Sequence, residues 1–491
     1  MTQKGICHNL LGVDYKKMKL FTIAITVAYR SFSTKSAGKP TKWNQSKYKI
    51  MNNFNEKTTR TKYEWTNEQM NVLTSIRLGK SVFFTGSAGS GKTLLLEEII
   101  KLLKKSYGPS RVFVAAPTGV AACALKGLTL HSFAGIKFGT DNREDLLQGV
   151  LSNRRAFRRW EKVGALVIDE ISMVDSEFFD NLEYIARTIR GVDKSWGGIQ
   201  LVVTGDFFQL PPVDARQRPG IKFAFEADSW NSSFDIYIEL TKIFRQTDYQ
   251  LIKLLQGIRK GECDPEDLQL LNQCCSEAEP DPSVVQLYPL NKDVHQVNEE
   301  RLKSLQQEHV TYKAVDSGKG PWKRQLRNGI APDETSLCEG ARVLLIKNLD
   351  SFRGLVNGAM GTIMEFHKAR DVDDICSSGL LPIVKFDSGK TMKIKPETWN
   401  IMVGDEVVAS RKQMPLILSW ALSIHKCQGM TLDSLHTNLL NAFGCGMVYV
   451  ALSRVRSLKG LHLSGLSPSK IKADPKVLEF YRGFTFDVSG K

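Results

Sequence analysis

The sequence predicts an α/β protein built on parallel sheets with a small β module inserted late in the chain, and three observations carry that prediction. The first is a β-prone apolar run, Ser81 to Thr85, that enters the glycine loop Gly86-Ser87-Ala88-Gly89-Ser90-Gly91-Lys92-Thr93. A helix-prone segment follows, with Leu95, Leu96, Ile99, Ile100 and Leu103 on one broad apolar face, so the order is strand, loop, helix. The second is that further apolar runs, Arg111–Ala116 and Ala165–Ile168, end in small or acidic residues, as buried parallel strands do. The third is a change of texture in 336–411, where short β-prone runs (Arg342–Ile346, Leu355–Gly358, Gly361–Met364, Ile383–Phe386) alternate with glycine turns and suggest a small barrel.

The chain opens on a segment unlike the rest. Residues 1–55 hold ten Lys or Arg against the single acid Asp14, which accounts for +9 of the net +15. Residues 1–60 are rich in Lys, Ser, Thr and Asn, and their apolar run Leu20–Tyr29 is about ten residues, too short to cross a bilayer. Such a leader reads as a mitochondrial presequence with Arg30-Ser31-Phe32-Ser33-Thr34 as its processing neighbourhood. A secretory signal and a disordered basic tail are the competing readings. Met18 and Met51 are alternative starts, and a chain begun at Met51 would be nuclear or cytosolic.

At 491 residues the chain has room for several domains, and 42% hydrophobic with 24% charged residues is ordinary for a globular protein. The basic balance favours an anionic partner, weakly, because most of the excess sits in the leader. Nine cysteines without a C-x-x-C pair argue against a zinc ribbon and for a reducing compartment. Cys274 and Cys275 are expected on a helix, as small core residues.

The chemistry follows the chain. Thr66 or Asn67 is placed to cap a helix, and the Gln69 amide can offer an adenine edge one donor and one acceptor. In the glycine loop, backbone N–H groups and a helix N-terminus together cradle phosphates. Lys92 reaches the β/γ-phosphates, and the Thr93 hydroxyl is a Mg²⁺ ligand. After the second strand, Pro117-Thr118-Gly119 offers a small-residue turn with a hydroxyl, and Leu130-His131-Ser132-Phe133 pairs polar donors with an aromatic; a core Phe and a satisfied His are the plain alternative. The polar stretch 137–160, with Arg154, Arg155, Arg158 and Arg159, reads as a solvated helix face or a small insertion at about 126–160. Val167-Ile168-Asp169-Glu170 delivers two carboxylates to a strand end, Asp169 for the metal and Glu170 to orient and deprotonate water. Leu182, Ile185 and Ile189 mark a core-facing helix over Phe178–Arg190. Ile199–Asp206 is another strand, and Gln209 beyond it is placed to sense a γ-phosphate before the stiffening Pro211-Pro212. Arg245 follows the run Ile236–Leu240, and Arg454 follows Met447–Leu452. Two arginines from outside the glycine-loop domain would each neutralise charge on a transferring phosphoryl group, an effect worth roughly 10³–10⁵ in rate.

Over about 61–470 the chain resembles the Pif-one (petite integration frequency) DNA helicases of superfamily one, branch B. The residues that carry the resemblance are Gln69, GSAGSGKT (86–93), APTGVAA (116–122), VIDEISMVD (167–175), TGDFFQLPPV (204–213), FRQ (244–246), SIHKCQGMT (423–431) and YVALSRVRS (449–457), with LEYIARTIR (182–190) similar to that family's signature helix. The resemblance implies two RecA-like domains, 61–235 and 236–335 with 412–491, an SH3-like insertion at 336–411, and a leader over 1–60. It implies ATP and Mg²⁺ as cofactors, held by Gln69, Gly86–Thr93 and Gln428, with Thr93 and Asp169 on the metal. Lys92, Glu170, Gln209, Arg245 and Arg454 would be catalytic. Single-stranded and forked DNA would lie against Thr118, His131, Phe133, Ser423, His425, Met447, Val448, Tyr449, Val450, Ala451, Leu452, Ser453, Val455, Arg456, Ser457, Leu458, Lys459 and Gly460. The implied activity is ATP-dependent unwinding with 5′-to-3′ polarity in genome maintenance, by a monomer without membrane association, in mitochondrion and nucleus. RNA–DNA hybrids and quadruplexes are open as further partners. Cys427 stands where the family usually has Ser, and a thiol is the weaker donor. A switch ATPase that clamps DNA without unwinding it, and a P-loop kinase or GTPase, are the rival classes.

Overall fold

The computed structural model describes residues 64–486 apart from the stretches 119–120, 123–124, 126, 137–141, 213–221, 276–283, 319–325, 327–330, 348, 351–354, 356–357, 370–376 and 404–405. The leader at 1–60, Gly119, Val120 and Cys7, Cys123 and Cys376 lie outside the described residues.

Six parallel strands make the first sheet: β1 (Val82–Gly86), β2 (Val112–Ala116), β3 (Leu128–Thr129), β4 (Ala165–Ile168), β5 (Gln200–Gly205) and β6 (Ile236–Leu240). Their order is β3-β2-β4-β5-β1-β6. The central strands are apolar at nearly every position because both faces are covered. Phe83, Leu166, Ile168, Leu201 and Val203 point into one core, with the helix Ser176–Arg190 and an aromatic group of Phe179, Phe207, Trp230 and Phe234. Their neighbours Val82, Phe84, Ala165, Val167 and Val202 point into the other, against α1 (Asn67–Arg77) and α2 (Lys92–Tyr107). The two-residue period of a strand thus splits one run of sequence between two cores. In α2 the buried side chains are Leu95, Leu96, Ile99, Ile100 and Leu103, the face read from the sequence.

A second, four-stranded parallel sheet has the order Ala421–Ser423, Val285–Tyr288, Leu435–Asn438, Leu461–Gly465. It shares a core with the helices Tyr249–Lys260 and Met447–Leu452. Between its first and second strands in the chain lies the insertion. Its largest sheet is antiparallel, built of Thr391–Lys393, Leu380–Phe386, Met360–Lys368, Arg342–Leu345 and Leu416–Leu418. The end strands of that sheet are not paired with each other among the described residues. A three-stranded sheet beside it is pinned by buried Arg411, which reaches Asp316 across the strands at 2.7 Å.

The domain boundaries need four corrections. Strand β6, 236–240, hydrogen-bonds to β1 and belongs to the first lobe, because its pairing residues Ile236 to Leu240 run parallel to Val82 to Gly86. The last described helix, Pro475–Phe486, also belongs there: Val477 and Tyr481 join the core that holds Phe83. The insertion's strands begin at Val310 and end at Leu418, wider than 336–411 on both sides. Finally, the helices Arg143–Ser152 and Arg154–Lys162 are no separate insertion, since Leu146, Leu147, Val150, Ala156 and Trp160 are buried in the first core. Cys274 is half-buried and Cys275 exposed, both beyond the helix Pro265–Gln273 rather than core residues on it.

Candidate nucleotide cleft and nucleic-acid face

The glycine loop is shaped by what leans on it. Gly89 has φ +86°, a conformation that side chains resist, and a Cβ there would sit 2.5 Å from the Cβ of Arg245. The Gly89 carbonyl accepts the Phe244 N–H at 2.8 Å, so the segment after β6 lies directly on the loop. Thr66 and Gln69 close a capping box at the start of α1. The same Gln69, buried, turns its amide to the Ser90 carbonyl at 3.5 Å. Lys92 Nζ donates to the carbonyls of Gly86 and Ser87 at 2.6 and 3.1 Å. Burial lowers its pKa, which the carboxylates of Asp206, Glu170 and Asp169 oppose.

Opposite the loop, β4 ends in Asp169 and Glu170. Glu170 stands in the left-handed region (φ 53°, ψ 46°), which costs a residue with a Cβ about 1–2 kcal/mol. Its N–H donates to Asp169 Oδ1 at 2.8 Å. Burial and the neighbouring Glu170 charge push Asp169 up to about 7. Burial also raises Glu170, against the pull of Lys92 and Arg454. Gln428 Nε2 donates to Glu170 Oε2 at 3.0 Å and approaches Gln209 Oε1 at 3.5 Å. Gln209 Nε2 in turn donates to Asp206 Oδ2 at 3.3 Å.

The second lobe reaches the cleft at several points. Tyr449 Oη accepts the Ala88 N–H of the loop at 2.7 Å, and Gln256 Nε2 donates to Ser87 Oγ at 3.3 Å. Arg245 Nη1 donates to the Ser453 carbonyl at 3.1 Å; burial and the nearby Arg454 charge lower its pKa to about 10. Arg454 is buried and held by the Val450 carbonyl at 2.8 Å and Ser453 Oγ at 2.7 Å, within electrostatic reach of Glu170. Arg259 closes on Asp206 at 2.9 Å with both side chains dry. Burial works against its charge, Asp206 together with Tyr449 and Tyr481 outweighs that, and its pKa stands above the ordinary arginine value.

These residues fit a nucleotide's phosphates and a divalent cation. α2 begins at Lys92, so its N-terminus meets the glycine loop, and the buried Ser90 hydroxyl has no hydrogen-bond partner among the described residues. Thr93 is exposed at the mouth, and two crowded acids, Asp169 and Glu170, lie opposite. No group of three or more His, Cys, Asp or Glu among the described residues could hold a metal alone, so a hard cation here would draw ligands from phosphate oxygens.

The expected nucleic-acid residues divide by burial. Thr118, His131 and His425 are half-buried, as are Ser457 and Leu458, while Arg456 and Lys459 are exposed. Thr118 Oγ1 accepts the Ala121 N–H at 3.2 Å. The His131 ring stacks on Phe178 at 4.5 Å, and burial lowers its pKa to about 4. Phe133 is wholly buried and packs edge-on against Trp160. Ser423, Met447, Val448, Tyr449, Val450, Ala451, Leu452, Ser453, Val455 and Gly460 are also buried in this conformation. Cys427 is buried with its thiol pushed up to about 12. Arg259, Gln256 and the half-exposed Phe244 ring beside Gly91 escaped the sequence reading. The only signal for Arg259 was a cation in the last turn of a helix, where cations are expected anyway.

Residues 64–268 match the family model for PIF1-like helicase, and 325–366 match that for the DNA helicase Pif1 2B domain. A crystal structure of Pif1 helicase from Candida albicans superposes with TM-score 0.78 at 39% identity, covering 86% of this chain and 100% of that one. The chain belongs to the PIF1-like helicases. A Bacteroides Pif1 in complex with ADP-AlF3 and ssDNA aligns at 31% identity and TM-score 0.67, over 86% of this chain and 98% of that one. The ATP-dependent DNA helicase PIF1 of Xenopus laevis is 43% identical over 84% of this chain but only 63% of its own length. This PIF1-like chain therefore spans a little under two-thirds of that relative.

Proposed function

We propose that this chain is an ATP-dependent DNA helicase that translocates 5′ to 3′ on single-stranded DNA and unwinds forked duplexes. One observation carries the reading: the second lobe delivers Gln428, Tyr449 and Arg454 to the glycine loop and Glu170 of the first. Each lobe holds part of the catalytic apparatus, so hydrolysis depends on closure, and closure can be traded for motion. The likeness to a Bacteroides Pif1 bound to ADP-AlF3 and ssDNA supports both ligands.

In this mechanism Gln69 reads the base, and the loop N–H groups with Lys92 hold the phosphates. Thr93 and Asp169 hold Mg²⁺, which supplies positive charge against the phosphate oxygens. Glu170, made more basic by burial, would accept a proton from the attacking water. Gln209 and Gln428 align around Glu170, and Arg245 and Arg454 stabilise the charge that develops. DNA would run past Thr118, His131, His425, Arg456, Ser457 and Lys459, with the insertion, read as SH3-like, against it. Opening a base-pair step costs about 1.4 kcal/mol, well within one nucleotide's hydrolysis. Phosphate contacts make the grip salt-dependent and tolerant of sequence. We place the protein, as a monomer, in mitochondrial and nuclear DNA maintenance, telomere control, recombination and repair, with RNA–DNA hybrids and quadruplexes as further substrates.

The test is strand displacement on duplexes with a 5′ or a 3′ tail, run beside ssDNA-stimulated ATP hydrolysis. Release from the 5′-tailed duplex alone is expected. Stimulated hydrolysis without release from either substrate would make it a clamp, and hydrolysis indifferent to ssDNA would remove DNA from the function.

A further inference from the structure

Behind Gln209 lies a dry ion pair between a motif residue, Asp206, and an arginine outside every motif, Arg259. Asp206, at the end of β5, has no solvent exposure, and Arg259, from the second-lobe helix Tyr249–Lys260, has almost none. Arg259 Nη2 lies 2.9 Å from Asp206 Oδ1, and its Nη1 lies 3.6 Å from Glu239 on β6. The guanidinium carbon sits 4.5 Å from the centroid of Phe208 and 5.2 Å from that of Tyr481, whose rings stack on each other at 4.7 Å. Tyr481 comes from the last described helix and is fixed by Thr85 Oγ1 at 2.6 Å and the Phe207 N–H at 3.3 Å. A guanidinium from one lobe thus enters an aromatic socket of the other.

A buried ion pair is weak evidence of stabilisation, because desolvation offsets the attraction. Its position says more. Asp206 accepts hydrogen bonds from the Gln209 amide and from the Phe208 N–H, both at 3.3 Å. Asp206 is also the charge that acts most strongly on Lys92. Were Asp206 unpaired, its stranded charge would disturb the contact that keeps Gln209 beside Glu170 and Gln428.

We propose that Arg259 is a positioning residue of the cleft: from the second lobe it neutralises Asp206 and so holds Gln209 in line with Glu170. The proposal rests on the nucleotide-hydrolysing reading above. It also makes the socket a contact through which lobe closure is felt at the γ-phosphate side of the cleft.

The experiment compares wild type with Arg259→Lys, Arg259→Gln and Arg259→Gln/Asp206→Asn. It reads kcat and KM for ATP with and without ssDNA, ssDNA affinity with and without a non-hydrolysable ATP analogue, and the melting temperature. Lysine keeps the charge but loses the planar fork and the ring contacts. Small misplacements at a reacting centre are costly, so Arg259→Lys should lower kcat at least about tenfold with KM within about threefold. Its melting temperature should stay near wild type, and the analogue-induced change in ssDNA affinity should disappear. The double variant should recover several-fold over Arg259→Gln, because it removes the stranded carboxylate. Wild-type kcat in a folded Arg259→Lys protein, a loss confined to KM, or no recovery in the double variant would overturn the proposal. If Arg259→Gln does not fold, Arg259→Lys decides alone. Wild-type turnover indifferent to ssDNA would sink the motor reading, while the role of Arg259 would still be judged on DNA-free turnover.

Discussion

Glu170 is pulled three ways at once: a left-handed backbone, a buried carboxylate beside Asp169, and a hydrogen bond from Gln428 of the other lobe. Strain of that kind persists where the surroundings over-determine it. Glu170→Gln keeps the shape and the contact with Gln428 but removes the base. Nucleotide binding should survive in a fluorescent-nucleotide titration while turnover falls by about 10²-fold or more. Lys92→Ala should instead lose both, since Lys92 is the cation nearest the phosphates' seat. His131 gives a pH prediction. Its folded pKa of about 4 lies below the usual 6.5, so the unfolded chain takes up a proton that the folded one refuses. Stability is therefore whole above pH 6.5 and falls as pH drops toward 4, by up to about 1.4 kcal/mol per unit. His131→Phe preserves the stack on Phe178 and should flatten that part of the melting-temperature profile. Parallel wild-type and mutant profiles between pH 6.5 and 4 would count against it.

At the scale of elements, the short helix Met447–Leu452 is buried on every side, with Tyr449 turned to the glycine loop rather than to solvent. Tyr449→Phe keeps the packing and removes the hydroxyl that accepts the Ala88 N–H. ATP turnover should fall about tenfold, in line with the cost of orphaning a buried donor, while ssDNA affinity without nucleotide stays within twofold. A drop in DNA affinity with unchanged turnover would return Tyr449 to the nucleic-acid face. This helix also marks the limit of what the chain makes legible. The strand–loop–helix at 81–103, the carboxylates after β4 and the helix cap at Thr66 were readable because each depends on residues adjacent in sequence. Burial of Phe133 and Tyr449 was not, since an aromatic beside polar residues reads equally as a platform or as core until its neighbours Trp160 and Ala88 arrive from elsewhere. Arg259 was invisible for the same reason: its partner Asp206 lies 53 positions away.

Across the whole molecule the chain leaves the first lobe after β6, builds the second sheet around the insertion, and returns to the first lobe with its last described helix. No local pattern foretells that return, because the apolar face of Pro475–Phe486 would suit either core. The return links the two lobes twice, once through the segment after β6 and once before Pro475. It also brings an aromatic hydroxyl beneath the glycine-loop strand, where Tyr481 meets Thr85 at 2.6 Å. The first lobe's core is thus incomplete until the helix Pro475–Phe486 arrives. Tyr481→Ala removes a ring that stacks on Phe208 and packs edge-on against Phe480. Large-to-small changes of a buried aromatic cost about 3–5 kcal/mol, a sizeable part of a domain's stability. The urea midpoint of the first lobe should fall accordingly, followed through the fluorescence of its buried Trp160, Trp196 and Trp230. If the helix served the second lobe instead, the tryptophan transition would stay where it is in the wild type.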